Sequence, residues 1–407
     1  MPVEAPSMAA PVGRLTGRRV VIVLESLRMG GAERQALLLA RHLASREGAI
    51  VAVWGLGPLG ELVSYCEQYG IRWRRVPRPV VSGRLKRWSR LAGFAWRLRR
   101  AGVDVLLPFT SVPNVSSSVV ARWANARLCI WNQRDEGIGR LGGRLERFAA
   151  RRADLFVANS ESGARWLTNS FGVPDDQIQL VPNGVWLEAP RDSRSAWRER
   201  LGATASEFLV GMLANLHAAK DHETLLSAWR LVLDHWQCAE SMPLLILAGR
   251  EGDTAEMLRA RAAQLELGDR TRFLGSVGDV AGLLSALDLL AHSARSESCS
   301  NAVLEAMAHG RPIVATDTAG TRVALGDDEQ LVPPADPAAL AERIRRLADD
   351  EPRRLRLGAA NRKRAATCFS PDQMCETMTR IIADGLTTRR GASGATLGHH
   401  ASGSTGR

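Results

Sequence analysis

The feature that most constrains this chain is an alternation of short β-branched runs with amphipathic helical segments, which begins near residue 20 and restarts near residue 208. Val20–Leu24, Ile50–Trp54, Val103–Pro108, Leu128–Asn132 and Leu155–Ala158 read as buried strands, with helices over Arg34–Ser45, Leu59–Tyr69, Arg84–Ala101 and Leu141–Ala153. The second set places strands at Phe208–Leu213, Leu244–Ala248, Thr271–Leu274, Leu287–Ala291 and Pro312–Thr316. Its helices fall at Asp221–Trp236, Glu256–Leu265, Val277–Ala286, Asn301–His309 and Pro337–Asp349. Such alternation specifies an α/β class, parallel sheets covered by helices on both faces. Two sets over 407 residues specify two doubly wound domains, because a chain this long outgrows one core. Sheets of this kind bind ligands at the carboxyl ends of their strands, so two facing sheets would place a site in the cleft between them.

The expected layout is a disordered tail over 1–17, a first domain over 18–188, a linker over 189–206 and a second domain over 207–368. A closing helix over 369–386 would cross back to the first domain, and 387–407 would be a second tail rich in Gly, Ser and Thr. No apolar run reaches the roughly 18–20 residues of a membrane span, and the first residues lack the apolar centre of a secretory signal. Six cysteines lie scattered without a C-x-x-C pair, which argues against a zinc site or a disulfide framework and fits a reducing, cytoplasmic setting.

Three segments carry residue types suited to an anionic, hydroxyl-rich ligand. The first is Glu297-Ser298-Cys299-Ser300-Asn301, leading through Glu305 to His309-Gly310. Ser300 can cap a helix opening at Asn301, whose free N–H groups and positive dipole end suit a diphosphate. Glu297 in the loop and Glu305 in the helix's second turn present carboxylates to different parts of one ligand, where each can accept bonds from adjacent hydroxyls. The second segment runs from Asn215 to Lys220 and Asp221. Asp221 can cap the following helix, and Lys220 beside that helix start can neutralise a phosphate. The third is Gly30-Gly31-Ala32-Glu33-Arg34, where paired glycines allow a tight turn at a helix start. This third segment is not the G-x-G-x-x-G fingerprint, and the chain lacks a Walker-type G-x-x-x-x-G-K-[ST] loop.

Taken in order, these segments closely resemble glycosyltransferase family 4. The other matches are Ala158-Asn159-Ser160, Val181-Pro182-Asn183-Gly184-Val185, Phe273-Leu274-Gly275, Asp317-Thr318-Ala319-Gly320 and Leu331-Val332-Pro333-Pro334-Ala335-Asp336. The resemblance implies the GT-B fold, two facing Rossmann-like domains with a cleft between them. It implies a retaining transferase that uses a UDP- or GDP-sugar as co-substrate, needs no metal or other cofactor, and passes the sugar to a lipid-linked or cell-surface glycan acceptor. By this resemblance Glu305 binds the donor ribose, Glu297 the transferred sugar and Lys220 the diphosphate, helped by Ser298, Cys299, Ser300 and Asn301. Gly30, Gly31 and Gly275 complete the donor side. Three positions depart from the common pattern. Asn215 stands where many members carry Arg, Ser298 replaces Gly, and Arg134 or Asp135 occupies an acceptor-side position that is often His.

The net charge of +11 is uneven, with 30 Lys and Arg against 16 Asp and Glu between Arg18 and Arg200. Arg72 to Arg100 is strongly basic, has no acid, and interleaves Trp73, Trp88, Phe94 and Trp96. Two readings fit it. One is a helix resting on an anionic membrane surface, which would place the enzyme peripherally on the inner face of the cell membrane. The other is an ordinary amphipathic helix that packs its aromatics on the sheet. Other function classes use the same features: a sugar-nucleotide epimerase, an inactive sugar-nucleotide binder, or, more remotely, a nucleic-acid-binding protein. Nucleic acid is not an expected partner, since no binding module is recognisable and the carboxylates of the second half would go unexplained.

Overall fold

The computed structural model describes residues 13–137, 141–185, 189–238 and 241–395. These form two compact units, residues 1–182 with 372–407, and residues 183–371.

The first unit is built on seven parallel strands. They are β1 (Arg19–Leu24), β2 (Ile50–Gly55), β3 (Arg72–Arg75), β4 (Val105–Pro108), β5 (Leu128–Gln133), β6 (Leu155–Ala158) and β7 (Ile178–Leu180), in the order β3-β2-β1-β4-β5-β6-β7. Period-two alternation divides β1 between two cores. Val20, Ile22 and Leu24 pack with Leu39 and Leu43 of helix Gly31–Ser45 and with Met378 and Ile382 of helix Pro371–Ala395. Val21 and Val23 pack with Phe94 and Leu98 of helix Arg84–Arg100 and with Trp131 of β5. Burial on both faces is why the strand reads as an unbroken apolar run.

The second unit has six parallel strands: β8 (Leu209–Leu213), β9 (Leu244–Ala248), β10 (Thr271–Gly275), β11 (Leu289–His292), β12 (Ile313–Thr316) and β13 (Leu331–Val332). Their order is β10-β9-β8-β11-β12-β13, so β8 and β11 are hydrogen-bonded neighbours although two strands separate them in sequence. Leu290 of β11 shares one core with Val303, Leu304 and Met307 of helix Asn301–Ala308. Leu289 and Ala291 belong to the opposite core with Leu225 and Trp229.

Several segments differ from their expected form. Residues 13–17, expected within a tail, are folded: Leu15 is buried, and the Arg14 guanidinium reaches Glu47 at 3.0 Å and Glu376 at 2.7 Å. The expected linker 189–206 contains helix Arg194–Arg200. Its Trp197 is buried and donates to Asp279 Oδ2 at 2.8 Å, while buried Arg198 donates to the carbonyls of Thr204 and Ala286. Charged residues spent on backbone carbonyls concealed this helix in the sequence. The closing helix begins at Pro371 and runs to Ala395, past the expected boundary at 386, and residues 1–12 and 396–407 of the expected tails lie outside the described residues.

The basic stretch divides into β3 and helix Arg84–Arg100. Leu91, Phe94, Ala95 and Leu98 face the core. Leu85 is 88% exposed, Trp96 58% and Trp88 40%, and the Trp88 ring lies 6.0 Å from that of exposed Trp123. Leu85, Trp88, Ala92 and Trp96 therefore form a second, outward stripe at helical spacing. No helix among the described residues is long and apolar enough to cross a membrane.

Candidate active site

Because β8 and β11 are neighbours, the loops leaving their carboxyl ends emerge side by side. The chain after β8 passes Asn215 and reaches a short turn at Ala218–Lys220. The chain after β11 runs through residues 293–300 into helix Asn301–Ala308. Four contacts sew the two together. Ser293 Oγ reaches the carbonyl oxygens of Asp221 at 2.9 Å and Lys220 at 3.1 Å. Arg295 N–H donates to Ala219 O at 3.0 Å. The Arg295 guanidinium grips the Asp221 carboxylate in a bidentate pair, Nε to Oδ2 at 2.9 Å and Nη2 to Oδ1 at 3.1 Å. Lys220 Nζ bonds Glu297 Oε2.

Asp221 is the pivot, at φ +49°, a left-handed conformation that Asp tolerates better than most side chains. It occupies the N-cap position of helix His222–Asp234, but its carboxylate caps no backbone N–H. It accepts instead from the Thr224 hydroxyl at 2.8 Å and from Arg295. The left-handed turn redirects the side chain, so its role is to clasp the neighbouring loop.

At the centre stands Glu297, whose side chain is 11% exposed. Its Oε2 takes two donors, Lys220 Nζ and the Nε2 of His292 at 3.1 Å. Burial alone would raise the carboxyl's pKa. The His292 hydrogen bond and the Lys220 charge overcome that and bring it down to about 2, so the group is a carboxylate. His222 lies close by, buried, and its imidazole is pushed down to about 4 by burial and then by His292.

The backbone around Glu297 is fixed from two sides. Gly320 N–H donates to Glu297 O at 2.8 Å, which explains the glycine of Asp317-Thr318-Ala319-Gly320. Asn183 Nδ2 donates to Cys299 O at 3.2 Å and to Asn301 Oδ1 at 2.9 Å, which gives the Val181–Val185 motif its role as a clamp. Ser300 caps helix Asn301–Ala308 by accepting from Val303 N–H. Ser298 is buried and absent from the left-handed residues, so it fits where Gly is common. Glu305 lies half-buried in the second turn.

The rim is built by β8, β9 and β10 together. Gly275, at φ +67°, accepts from Gly249 N–H at 2.8 Å, and Asn215 Oδ1 accepts from Arg250 N–H at 3.1 Å. Asn215 thus joins two loops with its amide oxygen.

The remaining candidates belong to the first unit. Gly30 is the N-cap residue of helix Gly31–Ser45, which starts three residues earlier than expected, and its backbone is extended at φ −149°. A left-handed turn is therefore not what Gly30 supplies. A Cβ there would fall 2.6 Å from Glu33 Oε2, the end of a flexible side chain that can swing aside, so packing does not require the glycine either. Arg134 follows β5 with its guanidinium 4.6 Å from the Phe109 ring centroid. Asp135 Oδ1 accepts from Gln133 Nε2 at 2.9 Å and Gly137 N–H at 2.8 Å, and so shapes its own turn. Asn159 donates to Arg134 O at 3.3 Å, which ties Ala158-Asn159-Ser160 to the same loop.

His292 and the Asp221–Arg295 clasp are the site features that sequence reasoning missed. A polar residue closing an apolar strand was the available signal for His292.

The Glycosyltransferase Family 4 model matches residues 29–189, and the Glycosyl transferases group 1 model matches residues 193–364. The chain is 29% identical over 265 residues to a D-inositol 3-phosphate glycosyltransferase of Streptomyces avermitilis, a match over 63% of this chain and 56% of that protein. A protein of the same name from Xylanimonas cellulosilytica is 31% identical over 267 residues, 62% of each chain. The matches thus span less than two thirds of the length of these relatives. HepE of Anabaena, solved with UDP and glucose, shares the fold with a TM-score of 0.77 at 21% identity, over 89% of this chain and 99% of that one.

Proposed function

Because this chain belongs to glycosyltransferase family 4, we propose that it transfers a sugar from a UDP- or GDP-sugar to an acceptor hydroxyl with retention at the anomeric carbon. The observation that carries the reading is the convergence of Lys220 and Glu297 beside the capped start of helix Asn301–Ala308. A cation and the positive dipole end of a helix answer a diphosphate; a buried carboxylate answers sugar hydroxyls. The relatives' transferase names and the UDP and glucose of HepE support the donor class.

In the reaction, the bond between the anomeric carbon and the diphosphate oxygen breaks. A bond to the acceptor oxygen forms on the same face, and the acceptor's proton passes to the departing phosphate. Charge grows on the leaving diphosphate, so Lys220 with the helix end supplies the electrostatic stabilisation and the reaction proceeds without a metal. Glu305 holds the ribose, and Arg134 and Asp135 serve the acceptor.

The acceptor is a lipid-linked or cell-surface glycan precursor, reached from the inner face of the membrane. The outward stripe of Leu85, Trp88, Ala92 and Trp96 among arginines supports that placement. The test is acceptor-dependent release of UDP or GDP, unaffected by chelator, with the product anomer read by NMR. Donor conversion without acceptor would point to an epimerase, and donor binding without turnover to an inactive binder.

A further inference from the structure

Lys220 and His292 share one oxygen of Glu297, and the two donors differ in freedom. Lys220 stands on a turn with its side chain 27% exposed, whereas the His292 side chain is 1% exposed on a strand between β8 and β12. The position is set by the fold. Alternation along β11 puts His292 on the face of Leu290, and Thr316 Oγ1 donates to its carbonyl at 3.4 Å.

If Lys220 swings to the diphosphate as the donor arrives, Glu297 loses the cation that now neutralises it. A buried carboxylate that loses its only counter-group would pay heavy desolvation. Here the second donor stays behind. We infer that His292 is a positioning residue that retains Glu297 Oε2 when Lys220 moves to the diphosphate, which keeps the carboxylate aimed at the sugar hydroxyls through Oε1. The inference rests on the proposed donor reading and adds a division of labour to it. Lys220 exchanges partners, and His292 does not. Ribose and base recognition lie outside this division, so His292 governs how well the protein distinguishes a nucleotide-sugar from the bare nucleotide.

The test is calorimetric affinity for UDP and UDP-glucose, and for GDP and GDP-mannose, in the wild-type chain, His292→Leu and His292→Gln. Gln reaches about as far as Nε2 and donates a similar hydrogen bond. In His292→Leu the advantage of the nucleotide-sugar over its nucleotide should fall at least tenfold, with nucleotide affinity within about threefold of wild type. His292→Gln should restore most of that advantage. An unchanged advantage in folded His292→Leu would overturn the inference while leaving the donor reading intact, as would a His292→Gln no better than Leu. A wild-type chain that binds none of the four ligands would overturn the donor reading and, with it, the inference.

Discussion

Gly320 donates its backbone N–H to the carbonyl of Glu297 at 2.8 Å, and a Cβ on Gly320 would fall 2.4 Å from that same oxygen and 2.5 Å from Ser298 O. Both obstacles are backbone atoms, so neither can swing aside as a side chain would. Gly320→Ala should therefore displace the loop that carries Glu297, at an overpacking cost of about 1–3 kcal/mol. Transferase turnover should fall at least tenfold, with a lowered melting temperature, in acceptor-dependent nucleotide-release and thermal-unfolding assays. Wild-type turnover in Gly320→Ala would show that the loop's position is not critical.

Lys220→Ala and Glu297→Gln should each reduce kcat by roughly 10²–10³, the loss typical of removing one preorganised electrostatic group. The two side chains share a contact in the free chain, but with donor bound Lys220 serves the diphosphate and Glu297 the sugar, so the double variant should lose close to the product of the single losses. Glu305→Ala should weaken nucleotide as well as nucleotide-sugar, since its proposed partner is the ribose. Steady-state kinetics with calorimetry separates these patterns, and a double loss far smaller than the product at positions 220 and 297 would show that Lys220 keeps its contact with Glu297 in the donor complex.

The strands legible in the sequence are those with an unbroken apolar run: Leu155–Ala158 and Leu244–Ala248 match to the residue, and β1 and β2 within one. The three that were missed, Arg72–Arg75, Ile178–Leu180 and Leu331–Val332, all lie at sheet edges, where no continuous apolar run is required. Helix Ser111–Val120 escaped because its Val and Ser residues are weak helix formers, and burial of nearly every side chain overrides that preference. The site shows the same division. Lys220, Glu297 and Glu305 stand in recognisable segments, but the contact of His292 and Lys220 through Glu297 depends on β8 lying beside β11. That adjacency is a crossover that no local pattern encodes.

Acid should destabilise the folded chain in two overlapping windows. His222 sits at about 4 when folded, below its ordinary 6.5, so the unfolded chain binds the extra proton first and stability falls as pH drops from 6.5 toward 4. Glu297 is depressed from 4.5 to about 2, so its contribution, about 3 kcal/mol as an upper bound, is present above 4.5 and lost as pH falls toward 2. His42 and His309 are also lowered, by burial first, and share the upper window. His222→Gln should therefore flatten the pH dependence between 6.5 and 4 without abolishing it, and Glu297→Gln should flatten it below 4.5. Urea unfolding at a series of pH values reads both, and an unaltered slope in either variant would contradict the assignment.

The outward stripe of helix Arg84–Arg100 makes a prediction that separates membrane docking from ordinary packing. Leu85, Trp88 and Trp96 are exposed, whereas Phe94 is buried beside Trp54 at a ring distance of 6.2 Å. Replacing the three exposed residues with Ser should leave the melting temperature within a few degrees of wild type, since no core contact is removed. Phe94→Ser should destabilise strongly, by about 3 kcal/mol or more. If the stripe meets a bilayer, the wild-type chain should sediment with phosphatidylglycerol-containing vesicles and far less with phosphatidylcholine alone. Each arginine near an anionic surface adds about 1 kcal/mol, a contribution that salt screens. The triple Ser variant should lose most of the salt-resistant part of that binding and retain the salt-sensitive part. Vesicle binding identical to wild type in the triple variant would place the contact elsewhere and return the exposed tryptophans to ordinary surface residues.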